Sequence, residues 1–501
     1  MIRTRFAPSP TGTPESIHLG FIIRALWNYA YAKKYDGQFV LRMEDTDTVR
    51  SRADTEAAIY ETIKEFGINW DEGPDIGGPY APYRQSDRLQ KYQDAAHKLV
   101  ELGFAYYDFD AEMREKEEIK AQYEDEEAVA KLEVRPAARY IETEVAKKRI
   151  DAGEKFVVRV KIPEDREFRF KDWILGKEIK VKGKIVPDLI LLKSNGFPTY
   201  HLAVVVDDID MKISHVFRGQ EWISTTPIHL YLYEAFGVTH PEIGHFTVII
   251  DPRTNKKFSK RDMSGMFGVN TWLRAGYLKS ALLNYLMMLG WAPKDNRELF
   301  TMEEFVQAFD QDGVGKANPV FDKKKLDWFQ GTYIRKLPAE ELIAQFKAWV
   351  EKFSDNKSHL LDIFADETMM KVVSATIPVI QERITTFADI EASVLKMFAI
   401  NDYVDITIVK GIKEKTKSEI AGICEKLIPV SEFVNDKAQW ESHIREIAKT
   451  QEIKDADVFM ILRIAIWGDQ FSPPLFEIMQ ILGSQVCKDR LNKFIEYLTL
   501  S

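Results

Sequence analysis

Four short stretches hold residue types that suit phosphates, a stacked base and a ligand carrying an amine or hydroxyls. The first runs Arg5-Phe-Ala-Pro-Ser9-Pro-Thr-Gly12 and continues as Ile17-His18-Leu19-Gly20. Here a strand ends in a Pro/Gly-rich turn and a helix begins near His18. Free backbone N–H groups at a helix start favour anions, and a glycine lets a ligand approach the backbone. Taken alone, His-Leu-Gly reads as a turn with a surface histidine; the Pro-Ser-Pro-Thr-Gly run before it favours a binding role. The second stretch, Arg42-Met-Glu44-Asp-Thr-Asp47, stands at the end of a predicted strand, where open α/β sheets bind ligands. Its carboxylates suit an amine or hydroxyls, although an acidic loop with a capping Asp would read the same way.

The third stretch is Val216-Phe-Arg218-Gly-Gln-Glu221-Trp222, following Thr199-Tyr200-His201 and Val206-Asp-Asp208. Arg218 and Glu221 are spaced to share a helix face or to pair with each other, and Trp222 offers a surface for a base. The fourth is Lys256-Lys257-Phe-Ser259-Lys260-Arg261. From Asp251 to Arg261 five basic residues face one acidic residue, a net +4. A basic loop can neutralise charge developing on phosphates, and a solvated basic patch is the simpler alternative.

The elements around these stretches read as alternating strand and helix. Ile2–Ala7 is a predicted strand, Ile17–Lys34 a helix with apolar residues at helical spacing, Phe39–Met43 a strand and Ala57–Phe66 a helix, the pattern of a parallel βαβ unit. A charge-dense segment from about Arg84 to Pro187 follows, with a solvated helix over Met113–Glu133 and strands at Phe156–Ile162 and Glu178–Val186. The α/β pattern then resumes, with strands at Leu189–Leu192 and His201–Val206 and a helix over Pro227–Phe236. Beyond Phe321 the chain reads as helical. Leu342, Ile343, Phe346, Trp349, Val350 and Phe353 share one face, as do Leu491, Phe494, Ile495 and Leu498.

In order and spacing these stretches resemble class I aminoacyl-tRNA synthetases, most closely bacterial-type glutamyl-tRNA synthetases. Phe197-Pro-Thr-Tyr-His-Leu-Ala, Pro319-Val-Phe-Asp and Ser472-Pro-Pro-Leu-Phe476 extend the likeness over nearly the whole chain. The fold implied is α/β, a class I Rossmann-type catalytic domain with an inserted acceptor-binding domain, followed by an all-helical C-terminal half. Residues 1–83 and 188–240 would form the two parts of the catalytic domain, with the insertion at 84–187. A linking region carrying the basic loop would span 241–322, a helical domain 323–375, and a helical anticodon-binding domain 376–501. Glutaminyl enzymes carry β-barrels there instead.

The activity implied is ATP-dependent attachment of glutamate to tRNA(Glu) through glutamyl-adenylate, with ATP used as its Mg²⁺ complex. By resemblance, His18 would contact ATP phosphates, and Lys257 and Lys260 would stabilise the departing pyrophosphate. Gly20, Glu221, Trp222, Ile249, Ser259 and Arg261 would complete the ATP site. Arg5 would hold the substrate side-chain carboxylate, with Ser9, Glu44, Tyr200 and Arg218 completing the amino-acid pocket. Gln381, Arg383 and Arg463 are the candidate anticodon contacts. Some members of the family also charge tRNA(Gln), and members are commonly monomeric.

Two departures bear on His18. The family's His-Ile-Gly-His-type motif carries a small residue or histidine where this chain has Phe21, and the loop from Gly12 to His18 is a few residues longer, containing Pro14-Glu-Ser16. A loop that bulges outward would keep the histidine in register. Otherwise the chain would be a tRNA-binding protein without catalysis.

Composition narrows the remaining classes. The 501 residues are 45% hydrophobic and 29% charged, enough for several packed cores and too apolar for a disordered chain. With 69 basic and 78 acidic side chains the net charge is −9, so a tRNA partner requires clustered rather than overall positive charge. Two cysteines, Cys424 and Cys487, cannot form a Cys₄ zinc site or a disulfide framework and fit a reducing cytoplasm. No structural zinc is expected in the insertion, which has no cysteine. The nine histidines show no His-x-x-x-His spacing, which disfavours a metallohydrolase. The start lacks a signal-peptide core, and the apolar window at 280–293 is broken by Asn284, so no membrane segment is expected.

Overall fold

The computed structural model describes residues 1–110, 115–124, 132, 134–258, 265–400 and 402–500. The chain divides into two compact units, residues 1–271 with 283–322, and residues 272–282 with 323–501.

The first unit is built on two parallel strand pairs. Arg3–Phe6 pairs with Gln38–Leu41, in register Arg3 to Gln38 and Phe6 to Leu41. The crossover is the helix Leu19–Lys34, whose Leu19, Ile22, Leu26 and Ala30 are fully buried. A helical apolar repeat between two short buried strands has few other ways to bury both faces. His215–Gly219 pairs with Glu242–Phe246 in the same sense, through the helix Thr226–Ala235. The two pairs meet at Arg3: the Ser214 amide donates to its carbonyl at 3.0 Å, and its own amide donates to Ser214 Oγ at 2.7 Å. The strand ends carrying Arg42, Glu44 and Arg218 thus come from the same α/β layer.

The charged segment is an antiparallel sheet in the order Ala105–Asp108, Val157–Val160, Ile190–Leu192, with a separate hairpin of Glu167–Lys171 and Glu178–Lys182. Ile190–Leu192, which the sequence places where the α/β pattern resumes, pairs with Val157–Val160. Within the expected solvated helix, Glu115–Glu124 is helical; the part from 125 to 131 lies outside the described residues.

One expected strand is a helix. Residues 201–206 belong to the helix Tyr200–Asp210, which starts after Pro198-Thr199 and is buried from His201 to Asp208. The run Leu-Ala-Val-Val-Val looks like a buried strand because a helix enclosed on every side shows no periodicity. At its end Asp207 accepts from Arg88 Nε at 2.7 Å and Gln85 Nε2 at 2.8 Å, and Tyr92 donates to it at 2.9 Å.

Every element described in the second unit is helical. Phe346, Val350, Ile377 and Ile390 form one core. Leu462, Ile466, Leu491 and Phe494 belong to another, which also contains Cys424 and Cys487. Burial pushes both thiols up to about 12. The faces expected from periodicity are the buried ones: Leu342, Phe346, Trp349 and Val350 in Ala339–Phe353, and Leu491, Phe494 and Leu498 near the chain end. No helix among the described residues is long and apolar enough to cross a membrane.

Candidate active site

The Pro/Gly-rich turn delivers His18 to the cap of the first helix, where its Nδ1 accepts a hydrogen bond from the Phe21 amide at 3.2 Å. A second segment fixes it from the other side. The Leu19 amide donates to the Phe267 carbonyl at 2.9 Å, the Val269 amide donates to the Ile17 carbonyl at 3.1 Å, and His18 bridges Gly268 antiparallel. The His18 ring stacks on Phe267 at 4.4 Å, and Phe267 stacks on Phe258 at 4.9 Å. Gly20 suits this packing, since a Cβ there would lie 3.3 Å from both the His18 and the Phe267 rings and would push them by a few tenths of an ångström.

Both departures in this region leave the histidine capped. Pro14–Ser16 is a single 3-10 turn with Glu15 and Ser16 exposed, while Ile17 behind it is buried. The Phe21 ring turns edge-on to Phe6, with centroids 4.7 Å apart, while its amide meets His18.

The cleft beside this cap is lined by His18, Gly20, Arg24, Glu221, Ile249 and Lys257, among others. Lys257 lies on a two-residue strand, Lys256–Lys257, paired antiparallel with Ile250–Asp251. Ser259, Lys260 and Arg261 lie outside the described residues. Phe258 precedes them in the His18 stack; after them, the Gly268 amide donates to the Gly265 carbonyl at 2.8 Å. Arg24, absent from the sequence expectations, donates to Glu221 at 3.0 Å. Burial alone would raise the Glu221 pKa, but Arg24 and Lys257 hold it below the ordinary carboxylate value. The cleft therefore presents three basic side chains around one ionised carboxylate, a balance suited to a polyphosphate with a polar sugar.

A cluster of buried polar side chains adjoins it, because Trp222, next to Glu221, stacks on Tyr200 at 4.1 Å. The Tyr200 hydroxyl accepts from Arg218 Nη1 at 3.3 Å. Arg5 and Arg42 share Asp208, through Arg5 Nε at 3.2 Å and Arg42 Nη1 at 2.7 Å, and Arg42 Nη2 donates to Glu44 at 3.1 Å. Burial pushes the Glu44 carboxyl up to about 7 against the pull of Arg42 and Arg5. Ser9 is exposed at the turn. The sequence reading quoted Arg42 and Asp208 within their motifs without giving them a role. His201 is likewise quoted without a role, while His229, His245 and Asp172 are missed; the only signal for the histidines is their proximity to the Arg218 stretch.

In the second unit Arg383 and Arg463 converge on Ser472. Arg383 Nη1 donates to its carbonyl at 3.0 Å, and Arg463 Nε donates to its Oγ at 3.1 Å. Gln381 is not with them; its amide donates to the Ile334 and Leu337 carbonyls, both at 2.8 Å, as a helix tie.

Comparison with known proteins agrees with this architecture. Residues 1–328 match the catalytic domain of class I tRNA synthetases (E and Q), and residues 341–495 match an anticodon binding domain. The glutamate–tRNA ligase of Pseudoalteromonas translucida is 37% identical, with 100% of this chain and 96% of that protein covered. Glutamate–tRNA ligase 2 of Caldicellulosiruptor saccharolyticus is 35% identical, with 99% of each covered. Among solved structures, the glutamate tRNA ligase of Elizabethkingia meningosepticum in complex with its amino acid superposes with a TM-score of 0.78 at 32% identity, covering 99% of both chains. The chain belongs to the glutamate–tRNA ligase family of class I tRNA synthetases.

Proposed function

We propose that this chain attaches glutamate to tRNA(Glu) in two steps at the cleft and the polar cluster beside it. A carboxylate oxygen of the glutamate α-carboxyl attacks the α-phosphorus of ATP and pyrophosphate leaves, giving glutamyl-adenylate. A hydroxyl of the terminal tRNA ribose then attacks the acyl carbon, and AMP leaves. Neither step needs a covalent enzyme intermediate, so the protein's work is positioning and charge stabilisation.

In this reading ATP enters as its Mg²⁺ complex. His18 and the helix start contact phosphate, Lys257 and Lys260 offset the charge gained by the leaving pyrophosphate, and Ser259 and Arg261 belong to the same loop. Gly20, Glu221, Trp222 and the backbone at Ile249 frame the adenosine. Glu44 receives the substrate ammonium, while Arg5, Arg218, Tyr200 and Ser9 receive the rest of the amino acid. Residues 84–187 bind the acceptor end, and Arg383 and Arg463 serve the anticodon. The enzyme acts as a monomer in the cytoplasm.

The observation carrying this reading is that one cleft gathers His18, Glu221, Ile249 and Lys257 from separate stretches, and that Trp222, next to Glu221, stacks on Tyr200, which is bonded to Arg218. The test is glutamate-dependent ATP–pyrophosphate exchange in the presence of tRNA(Glu). Lys260→Ala should lower it on the order of a hundredfold or more with unchanged circular dichroism. Undiminished exchange in that variant would remove the loop from the mechanism.

A further inference from the structure

Among the buried arginines of the first unit, Arg218 is held differently from the rest. Arg3, Arg5, Arg42, Arg88, Arg139 and Arg159 each make an ion pair with a carboxylate. Arg218, 6% exposed, makes none among the described residues. Its five hydrogen bonds go instead to His245 Nε2 at 3.2 Å, His229 Nδ1 at 2.7 Å, Thr226 Oγ1 at 2.8 Å, the Tyr200 hydroxyl at 3.3 Å and the Trp222 carbonyl at 3.4 Å.

A guanidinium only donates, so both imidazoles must accept, and this fixes their tautomers. His245 accepts at Nε2 and carries its proton at Nδ1, which donates to Asp172 Oδ2 at 2.6 Å. Asp172 is anchored in turn by the amides of Ile174 at 3.0 Å and Leu175 at 2.8 Å. His229 accepts at Nδ1 and carries its proton at Nε2, which donates to His201 Nδ1 at 3.0 Å. Burial, reinforced by the Arg218 charge, holds His229 well below the ordinary histidine value and takes His201 down to about 3. The side chains hydrogen-bonded to Arg218 are thus uncharged, and along the His245 arm the first carboxylate, Asp172, lies one imidazole away.

The geometry points to His229 and His245 as positioning residues that bracket Arg218 through neutral acceptors and leave its charge for a carboxylate of the bound amino acid. A carboxylate in either place would satisfy Arg218 within the protein, and the substrate would then compete with it. Asp172 acts one step further out by fixing the His245 tautomer; without it, Nε2–H could turn toward the Arg218 donors. The inference rests on the reading that Arg218 binds the amino acid.

The test is steady-state glutamylation of tRNA(Glu), with glutamate and ATP varied separately, for His229→Asn, His229→Asp, Asp172→Asn and Arg218→Gln. His229→Asn keeps an acceptor near the Nδ1 position without charge. His229→Asp should raise the KM for glutamate on the order of ten- to a hundredfold, with the KM for ATP changed less than about twofold. His229→Asn should stay within about threefold of the parent, and Asp172→Asn should raise the glutamate KM by about tenfold. If His229→Asp does not fold, Asp172→Asn carries the test. An unchanged glutamate KM in His229→Asp while Arg218→Gln raises it overturns the bracket, and so does an equal rise in both KM values. An unchanged glutamate KM in Arg218→Gln overturns the underlying assignment of Arg218 instead.

Discussion

The ring of His18 lies on the ring of Phe267 at 4.4 Å with the planes 15° apart, and the Phe267 carbonyl accepts from the amide next to that histidine. Two segments far apart in sequence are thereby locked at the helix start: the Pro/Gly-rich turn, and the chain that follows the basic loop. Phe258, just before that loop, extends the same stack. The orientation of His18 therefore depends on an aromatic pair that has no polar chemistry of its own.

Phe267→Ala should consequently behave as an active-site variant. Loss of the stack frees the His18 ring and the return of the loop, and kcat/KM for ATP should fall on the order of ten- to a hundredfold. Steady-state kinetics with ATP varied measure this, alongside a denaturant titration to show that the fold is kept.

Phe21 should behave in the opposite way. Its amide caps against His18, which any residue other than proline can do, and its ring serves Phe6. Phe21→Ala should cost about 1–3 kcal/mol of stability in urea or guanidinium unfolding and leave kcat within about threefold.

Glu44 supplies a pH dependence. Its carboxyl is pushed up to about 7 by burial, and in the role proposed for it the carboxylate is the form that would pair with a substrate ammonium. As pH falls through about 7 the carboxylate is lost, so kcat/KM for glutamate should decline toward tenfold per pH unit on the acid side. Glu44→Gln should flatten that limb at a lower plateau, and a pH profile of kcat/KM from about 5.5 to 8.5 reads both effects.

Asp207 tests the frame under the buried arginine cluster. It is fully buried and receives hydrogen bonds from Arg88, Gln85 and Tyr92. Asp207→Ala would leave the Arg88 charge with less compensation, at a cost of about 3–5 kcal/mol seen as a lower unfolding midpoint.

Where type and spacing alone carried information, the sequence was readable. The parallel unit from Arg3 to Leu41 and the amphipathic faces in Ala339–Phe353 follow from periodicity, and the order of the four polar stretches pointed to the family. His201–Val206 misled because an enclosed helix and a buried strand share an apolar run. Arg24 was hidden because its partner Glu221 is distant in sequence, His245 because it is brought to Arg218 only by the fold, and Asp172 because it reaches Arg218 through His245. Phe267 gave no signal, since a stacking partner is defined by the fold and not by local pattern.

The most direct test is transfer of labelled glutamate to transcripts of tRNA(Glu) and tRNA(Gln), with ATP and Mg²⁺ and the purified chain. Labelling of tRNA(Glu) that requires ATP is the expected result, and the presence or absence of label on tRNA(Gln) tells whether the chain discriminates between the two. Binding of tRNA(Glu) without any transfer of glutamate would contradict the assignment of His18, Lys257 and Lys260 to a working active site.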